Sequence, residues 1–135
     1  MHYFNSVVRG LSVFWMSLFV LVLVACSPST PEDVVKDFYK AVADNRVDDA
    51  VAYFSLKNVK ENDLTTMKGK LQMVVGDTYS RIQNNGGLES ITTELIEQQD
   101  DTARVKVELK FKNGKTKNES TRLVKDSGKW KLHLK

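Results

Sequence analysis

The sequence predicts an α+β fold in which about three N-terminal helices pack on a curved, largely antiparallel sheet of about four strands. Between residues 31 and 84, apolar residues recur every three to four positions, which is typical of amphipathic helices. After residue 87 the period changes to two, which is typical of strands with one exposed face. Helices followed by a meander of strands bury both sets of apolar residues best when the helices lie across one face of the sheet.

Three helical segments are predicted before the first strand. The first begins at Thr30-Pro31, because threonine caps free amides and proline tolerates the first helical position. The second covers residues 47–55. The third extends from Leu64 to the Asn-Asn-Gly-Gly break at residues 84–87, where glycine readily adopts the conformation that closes a helix.

Four strands are predicted after this break. Residues 88–98 form the first strand, and residues 103–111 form the clearest one, in which apolar and charged side chains alternate. Asn113-Gly114 then favours a two-residue hairpin turn. A more polar strand over residues 115–125 precedes a second turn and the last strand, whose largest inward side chain is Trp130.

The first 25 residues have the layout of an export signal. Residues 11–25 carry no charge, and they are too few to span a bilayer, which needs about 20 residues. The sequence Leu-Val-Ala-Cys at residues 23–26 resembles the lipobox of bacterial lipoproteins. That resemblance implies cleavage between Ala25 and Cys26, followed by attachment of diacylglycerol and an acyl chain such as palmitate to Cys26. The alternative is a plain secretory signal in which the cysteine is incidental.

Cys26 is the only cysteine, and an unpaired thiol is a liability in an oxidising compartment, which lipidation removes. The sequence therefore divides into a signal peptide over residues 1–25, a lipidated cysteine with a short tether over residues 26–30, and a single domain over residues 31–135. At about 3.3 to 3.6 Å per residue, this tether keeps the domain close to the membrane. The same resemblance implies that Ser27, the residue after the lipidated cysteine, favours sorting to the outer membrane. The sequence does not indicate which side of that membrane the protein faces.

Charge is unevenly distributed after the leader. Residues 26–102 carry 8 basic and 14 acidic side chains, whereas residues 103–135 carry 11 basic and 3 acidic ones. We expect the basic strand face either to be solvated or to contact an anionic lipid or glycan of the envelope. Nucleic acid is not expected as a partner, because we expect the protein to be exported. In addition, the aromatic residues alternate with the lysines along the strands, so the two kinds of side chain point to opposite faces of the sheet and form no stacking surface together. The basic residues concerned are Arg104, Lys106, Lys110, Lys112, Lys129, Lys131 and Lys135.

The two clearest strands offer no inward group that could exchange a proton near neutral pH. Their inward residues are alanine, valine, leucine, phenylalanine and tryptophan, so the sequence predicts no catalytic residue, no metal site and no cofactor. His133, the only histidine after the leader, lies two positions from Lys131 and from Lys135, so we expect its side chain to share their exposed face. A cavity between the helices and the sheet would be lined by Phe38, Tyr39, Tyr53, Phe111 and Trp130.

The order of four segments resembles a known group of proteins. PEDVVKDFYKAVADNRVDDAVAYFS, NNGG, ARVKVELKFKNGK and LVKDSGKWKLHL together resemble bacterial envelope lipoproteins with an uncharacterised domain of the nuclear transport factor 2-like superfamily. This superfamily includes ketosteroid isomerase and has a cystatin-like, cone-shaped fold. The resemblance covers nearly all of residues 31–134. Some enzymes of the superfamily place an acid and tyrosine donors inside the cone, but no catalytic residue transfers to this sequence.

We therefore expect a membrane-anchored, non-enzymatic module for binding or envelope maintenance. Its partner would be an apolar or amphipathic ligand, or an anionic component of the envelope; the sequence does not determine an oligomeric state. One alternative is a small isomerase or dehydratase of the same fold, which an acid facing Tyr39 or Tyr53 would favour. The other is a structural or surface-antigen lipoprotein without a small ligand, which a core without a cavity would favour.

Overall fold

The computed structural model describes residues 28–134. Its helices are α1 (Pro31–Ala43), α2 (Val47–Val51) and α3 (Leu64–Asn84), with a 3-10 turn over Glu61–Asp63. The strands that follow are β1 (Leu88–Gln98), β2 (Thr102–Phe111), β3 (Thr116–Asp126) and β4 (Lys129–Leu132). They form one antiparallel sheet in the order β1-β2-β3-β4. The predicted α+β fold is confirmed.

Helix α1 begins where the sequence predicts and crosses the sheet. The Thr30 hydroxyl accepts a hydrogen bond from the Asp33 amide, and the Asp33 carboxylate accepts one from the Thr30 amide, both at 3.2 Å. This reciprocal cap satisfies two amides that a helix start otherwise leaves free. The buried side of α1 packs on β1, β2 and β4 and consists of Pro31, Val34, Val35, Phe38, Tyr39, Ala41 and Val42.

Helix α2 is shorter than the predicted segment of residues 47–55. It ends at Val51, and Phe54 instead forms a parallel bridge with Leu132. The Ser55 amide donates to the Leu132 carbonyl at 2.9 Å, and the Leu132 amide donates to the Tyr53 carbonyl at 2.8 Å. These hydrogen bonds to the edge of β4 replace those that a longer helix would have formed, and they cover an otherwise open edge.

Helix α3 packs on α1 and α2 and ends at the predicted break. Its buried residues are Leu71, Val75 and Ile82. The Gly87 amide donates to the Ile82 carbonyl at 2.9 Å, which closes the helix. Because α3 rests mainly on the other helices, it has few close backbone contacts with β2 and β3.

The two hairpin turns after β2 and β3 differ. The Phe111 amide donates to the Lys115 carbonyl and the Gly114 amide to the Phe111 carbonyl, so the first loop has three residues, and the predicted two-residue turn is wrong. Gly114 adopts a φ of 86°, as the last residue of such a loop requires. In the second turn, Ser127 and Gly128 both have positive φ between the paired residues Asp126 and Lys129, which is a two-residue turn.

The core lies between the three helices and the concave face of the sheet. The inward side chains of β2 are all buried, and Trp130 and Leu132 of β4 join them, as their parity predicts. Within residues 28–134, no helix is long and apolar enough to cross a membrane. The predicted signal peptide, its cleavage position and Cys26 lie outside the described residues, as does Lys135.

Candidate ligand-binding site

A cavity of about 380 Å³ opens between α3 and the concave face of β2 and β3. Helix α3 packs mainly on the other helices and has few close backbone contacts with this part of the sheet, which leaves the space open. The apolar part of its lining consists of Phe38, Phe54, Val74, Ile82, Leu109, Phe111 and Leu132. The polar part consists of Tyr39, Asp77, Thr78, Arg81, Lys117, Glu119, Thr121 and His133. We call this space the cone cavity.

Strand β3 supplies the polar groups that the sequence analysis missed. Leu123 is fully buried opposite Ala103, so every second residue before it points to the same concave face. Those residues are Thr121, Glu119 and Lys117, opposite Val105, Val107 and Leu109. These inward positions could have been identified from the sequence by taking every second residue before Leu123. Clear apolar alternation marks the inward face only in β2 and β4, and β3 shows little of it.

Tyr39 and Glu119 form the polar centre of the cone cavity. The Tyr39 hydroxyl donates to Oε2 of Glu119 at 2.5 Å, although the two residues are 80 positions apart. Nζ of Lys117 lies 2.5 Å from Oε1 of the same carboxylate. Tyr39 is 5% exposed, so its hydroxyl would lack a partner without this carboxylate. Both oxygens of Glu119 are therefore occupied by donors.

These contacts hold both groups in their ordinary protonation states at neutral pH. Burial, together with the hydrogen bond to Glu119 and its negative charge, raises the pKa of the Tyr39 phenol far above its usual range. Burial also raises the pKa of Glu119, but the hydrogen bonds from Lys117 and Tyr39 and the positive charges of Lys117 and Arg81 outweigh it. The pKa of Glu119 is therefore lower than usual, so the carboxylate is a weak base and the phenol a weak acid.

The opening of the cone cavity carries paired charges. Arg81 forms an ion pair with Asp77 at 2.8 Å, one turn apart on α3, and both side chains are more than half exposed. With the Lys117–Glu119 pair across from them, they surround a predominantly apolar interior. A site of this kind can bury an apolar group and place a polar one at its opening.

The structure divides the predicted cavity residues between two places. Phe38, Tyr39 and Phe111 line the cone cavity. Tyr53 and Trp130 line a larger depression of about 700 Å³, which also contains residues 28–30. Trp130 lies there because it is next to the β3–β4 turn, whereas Leu132, at the other end of β4, reaches the cone cavity.

Nearby basic groups border this larger depression. Nζ of Lys125 lies 5.1 Å from the centre of the Trp130 ring, and Lys129 is exposed beside it. The depression is wide and lacks a buried polar pair, so the cone cavity is the better candidate for binding a small ligand.

The basic residues do not form one continuous surface. Arg104 lies 3.4 Å from Glu97, and Lys110 lies 3.8 Å from Glu89. Lys106 is directly opposite Glu94. The acidic residues of β1 therefore compensate the outward charge of β2, which the sequence could not show because it does not give the strand register.

The other basic residues of this predicted set lie elsewhere. Lys112 packs beside Gly87, where β1 begins, and Lys129 borders the larger depression. Nζ of Lys131 donates to the Ala52 carbonyl at 2.6 Å. Within residues 28–134, no group of three or more histidine, aspartate or glutamate side chains is arranged to hold a metal ion.

Comparisons with known proteins agree with this architecture. A crystal structure described as a "putative NTF2-like transpeptidase" from Campylobacter jejuni has a TM-score of 0.73 and 27% sequence identity, covering 79% of this chain and all of that one. The de novo designed NTF2 fold protein NT-9 has a TM-score of 0.45 and 17% identity, covering 80% and 87% of the two chains. A comparison with curated protein sequences gives no match.

The family comparison covers most of the chain. Residues 24–133 match the family described as "Domain of unknown function (DUF4878)". The helices laid on a four-stranded antiparallel sheet have the nuclear transport factor 2-like fold that the resemblance implied. The chain belongs to the DUF4878 family.

Proposed function

We propose that this protein is a lipid-anchored envelope protein whose cone cavity binds an apolar or amphipathic ligand without changing it chemically. The observation that carries the proposal is the state of Glu119, whose two oxygens accept from Tyr39 and Lys117. A general base needs a free lone pair directed at the substrate and a pKa near the working pH. The pKa of Glu119 is lowered away from neutral pH, and each of its oxygens already accepts from one donor, so its role is to orient the surrounding donors.

The lining of the cone cavity supports binding by burial. Each 100 Å² of apolar ligand surface removed from water contributes about 2.5 kcal/mol. The side chains of Phe38, Leu109 and Phe111 supply such a surface next to the Tyr39–Glu119 pair. An alkyl chain or a ring would occupy the interior, and a polar head would meet the ion pairs at the opening.

The position of the N-terminal segment supports the membrane anchor. Pro28 follows Cys26 by two residues, which span about 7 Å at most. Residues 28–30 lie in the depression bordered by Trp130 and Lys129. A lipid on Cys26 would hold this end of the domain near the bilayer, and Ser27 makes the outer membrane our proposed location.

A small isomerase or dehydratase is the second candidate, and one observation favours it. Glu119 is an acidic side chain that faces Tyr39 inside a cavity, which is the arrangement that we associated with an enzyme. Proton transfer would require a substrate that displaces Lys117 or Tyr39 from the carboxylate. We rank this function below binding because those contacts lower the pKa of Glu119.

We do not extend the transpeptidase activity in the name of the Campylobacter protein to this chain. Peptide-bond exchange through an acyl-enzyme needs a nucleophile beside a base. Ser55 donates to Asp126 at 2.8 Å, but its side chain is buried outside the cone cavity. We therefore assign no transpeptidase activity to these residues.

Native mass spectrometry of the full-length protein, extracted from membranes in a mild detergent, tests the binding function. Val74→Trp adds bulk at a half-exposed position that lines the cone cavity, so we expect it to reduce the fraction of protein carrying a co-purified ligand at least fivefold. Met73→Trp is the matched control, because Met73 is more exposed and lies outside the cavity lining. Equal ligand loads in both variants would contradict the proposed site.

A parallel assay decides between binding and catalysis. The same preparations are incubated with a panel of unsaturated ketones, and the products are measured. We expect no turnover in wild type. If wild type shows turnover that Glu119→Gln abolishes, the protein is an isomerase and the binding function is wrong. A protein with neither ligand nor turnover would favour the structural alternative.

A further inference from the structure

Three basic side chains form a row across β2, β3 and the residue that follows β4. Arg104 of β2 is directly opposite Arg122 of β3. The amide of His133 donates to the carbonyl of Arg122 at 2.9 Å, which continues the pairing across β4. Ala103, Leu123 and Leu132, which precede or follow these residues, are buried on the concave face, so the two arginines share the convex one. His133, just after β4, borders both this face and the cone cavity.

These groups surround a depression of about 450 Å³ whose lining is Arg104, Ser120, Arg122 and His133. Its lining thus combines two guanidinium groups, an imidazole and a hydroxyl, and it contains no carboxylate. Like charges directly opposite each other on neighbouring strands destabilise a sheet. An anion held between the guanidinium groups would remove that cost.

The nearby acidic group compensates only part of this charge. Glu97 lies at the other side of Arg104, with 3.4 Å between its Oε1 and one guanidinium nitrogen. A guanidinium group has five N–H donors, so most of those on Arg104 are left for another acceptor. Within residues 28–134, no carboxylate lies within ion-pair distance of Arg122.

We propose that this depression is a binding site for a phosphate group. Guanidinium groups bind the oxygens of phosphate in pairs, and serine and histidine supply further donors at the positions that remain. The group could belong to a free phosphate compound or to a phospholipid headgroup, which present the same oxygens. The two arginines lie on the opposite face of the sheet from the cone cavity, and His133 lines both spaces. Phosphate binding by the arginines therefore does not depend on the proposed function of that cavity.

Solution NMR of the isotope-labelled full-length protein in a nonionic detergent tests this site. Inorganic phosphate is added at constant ionic strength while the side-chain Nε–H signals of the arginines are followed. We expect saturable shifts at Arg104 and Arg122 and at least a tenfold weaker affinity in Arg104→Gln and Arg122→Gln. Lys110→Gln is the control, because it removes one positive charge from the same face at the far end of β2. We expect Glu97→Gln to strengthen binding, since it removes a competing carboxylate.

A second titration identifies the source of the phosphate. Dihexanoyl phosphatidylglycerol, kept below its micelle concentration, presents the diester of a lipid headgroup. Saturation by either compound that depends on Arg104 and Arg122 supports the site and names its source. Shifts that fail to saturate with both compounds, or that Lys110→Gln weakens as much as Arg122→Gln does, would overturn the proposal.

Discussion

At the scale of single residues, the interaction between Tyr39 and Glu119 links the fold to the proposed function. Each group needs the other, because the phenol is buried and the carboxylate is half-buried beside it. Their sequence separation explains why the sequence alone did not reveal the pair. The sequence offers Tyr39 as a possible cavity-lining phenol, but its partner depends on the register of β3 against β2.

We expect Tyr39→Phe to lower the free energy of unfolding by about 1 to 2 kcal/mol, because it removes a hydrogen bond to a charged acceptor and leaves the ring in place. Chemical denaturation followed by tryptophan fluorescence measures this change. Tyr53→Phe is the matched control, since no hydrogen bond of the Tyr53 hydroxyl occurs among the described residues. An equal effect of the two substitutions would argue against the importance of the Tyr39–Glu119 contact.

The lowered pKa of Glu119 has a defined consequence for stability. A carboxyl group whose pKa is lower in the folded than in the unfolded state stabilises the fold above its ordinary pKa of about 4.3, and this contribution is lost as the pH falls further. We therefore expect the stability difference between wild type and Glu119→Gln to be constant from pH 7 to pH 5. It should shrink between pH 5 and pH 3. Urea denaturation across this range measures it, and a difference that grows on acidification would contradict the assigned direction.

At the scale of helices and strands, periodicity predicted most elements because their apolar faces are buried on one side. The ends of α1 and α3 followed from capping residues and a glycine break, which are local signals. The end of α2 did not, because the hydrogen bonds that stop it come from β4, about 80 residues later. The polar face of β3 was missed for a related reason, since the partners of Glu119 are Lys117 on the same strand and Tyr39 of α1, which is 80 positions earlier in the sequence.

Two glycine substitutions test the assigned backbone conformations of α3 and the β2–β3 loop. A methyl group at either Gly69 or Gly114 would meet no atom within 4 Å, so only the backbone decides the outcome. Gly69 lies inside α3, and we expect Gly69→Ala to stabilise the protein by about 0.5 to 1 kcal/mol. Gly114 has a φ of 86°, and we expect Gly114→Ala to destabilise it by about 1 kcal/mol. Thermal unfolding of both variants measures the difference, and effects of the same sign would contradict the assignment.

At the scale of the whole molecule, the fold is established, and we propose the anchor and the ligand. In this nuclear transport factor 2-like fold, the cone cavity forms between α3 and the sheet. The side chains of β3 determine the chemistry of that cavity. The sequence predicted the fold from patterns that are local. It could not predict the cavity, because the position of α3 depends on its packing against α1 and α2.

The anchor has a direct biochemical test. We expect labelled palmitate, supplied to the producing bacterium, to be incorporated into the wild-type protein and not into Cys26→Ser. The wild-type protein should also sediment with membranes, since several acyl chains together give stable attachment. Recovery of both proteins in unacylated form outside the membrane fraction would contradict the envelope anchor and leave the cone cavity unaffected.

Photo-crosslinking with a diazirine-labelled fatty acid tests the central claim most directly, because it reports where a ligand lies. After irradiation of the full-length protein, we expect labelled peptides from residues 74–82 of α3 and residues 117–121 of β3, which face each other across the cone cavity. Labelling should fall strongly in Val74→Trp and persist in Met73→Trp. Labels confined to residues outside the cone cavity, or equal labelling of the two variants, would contradict the account.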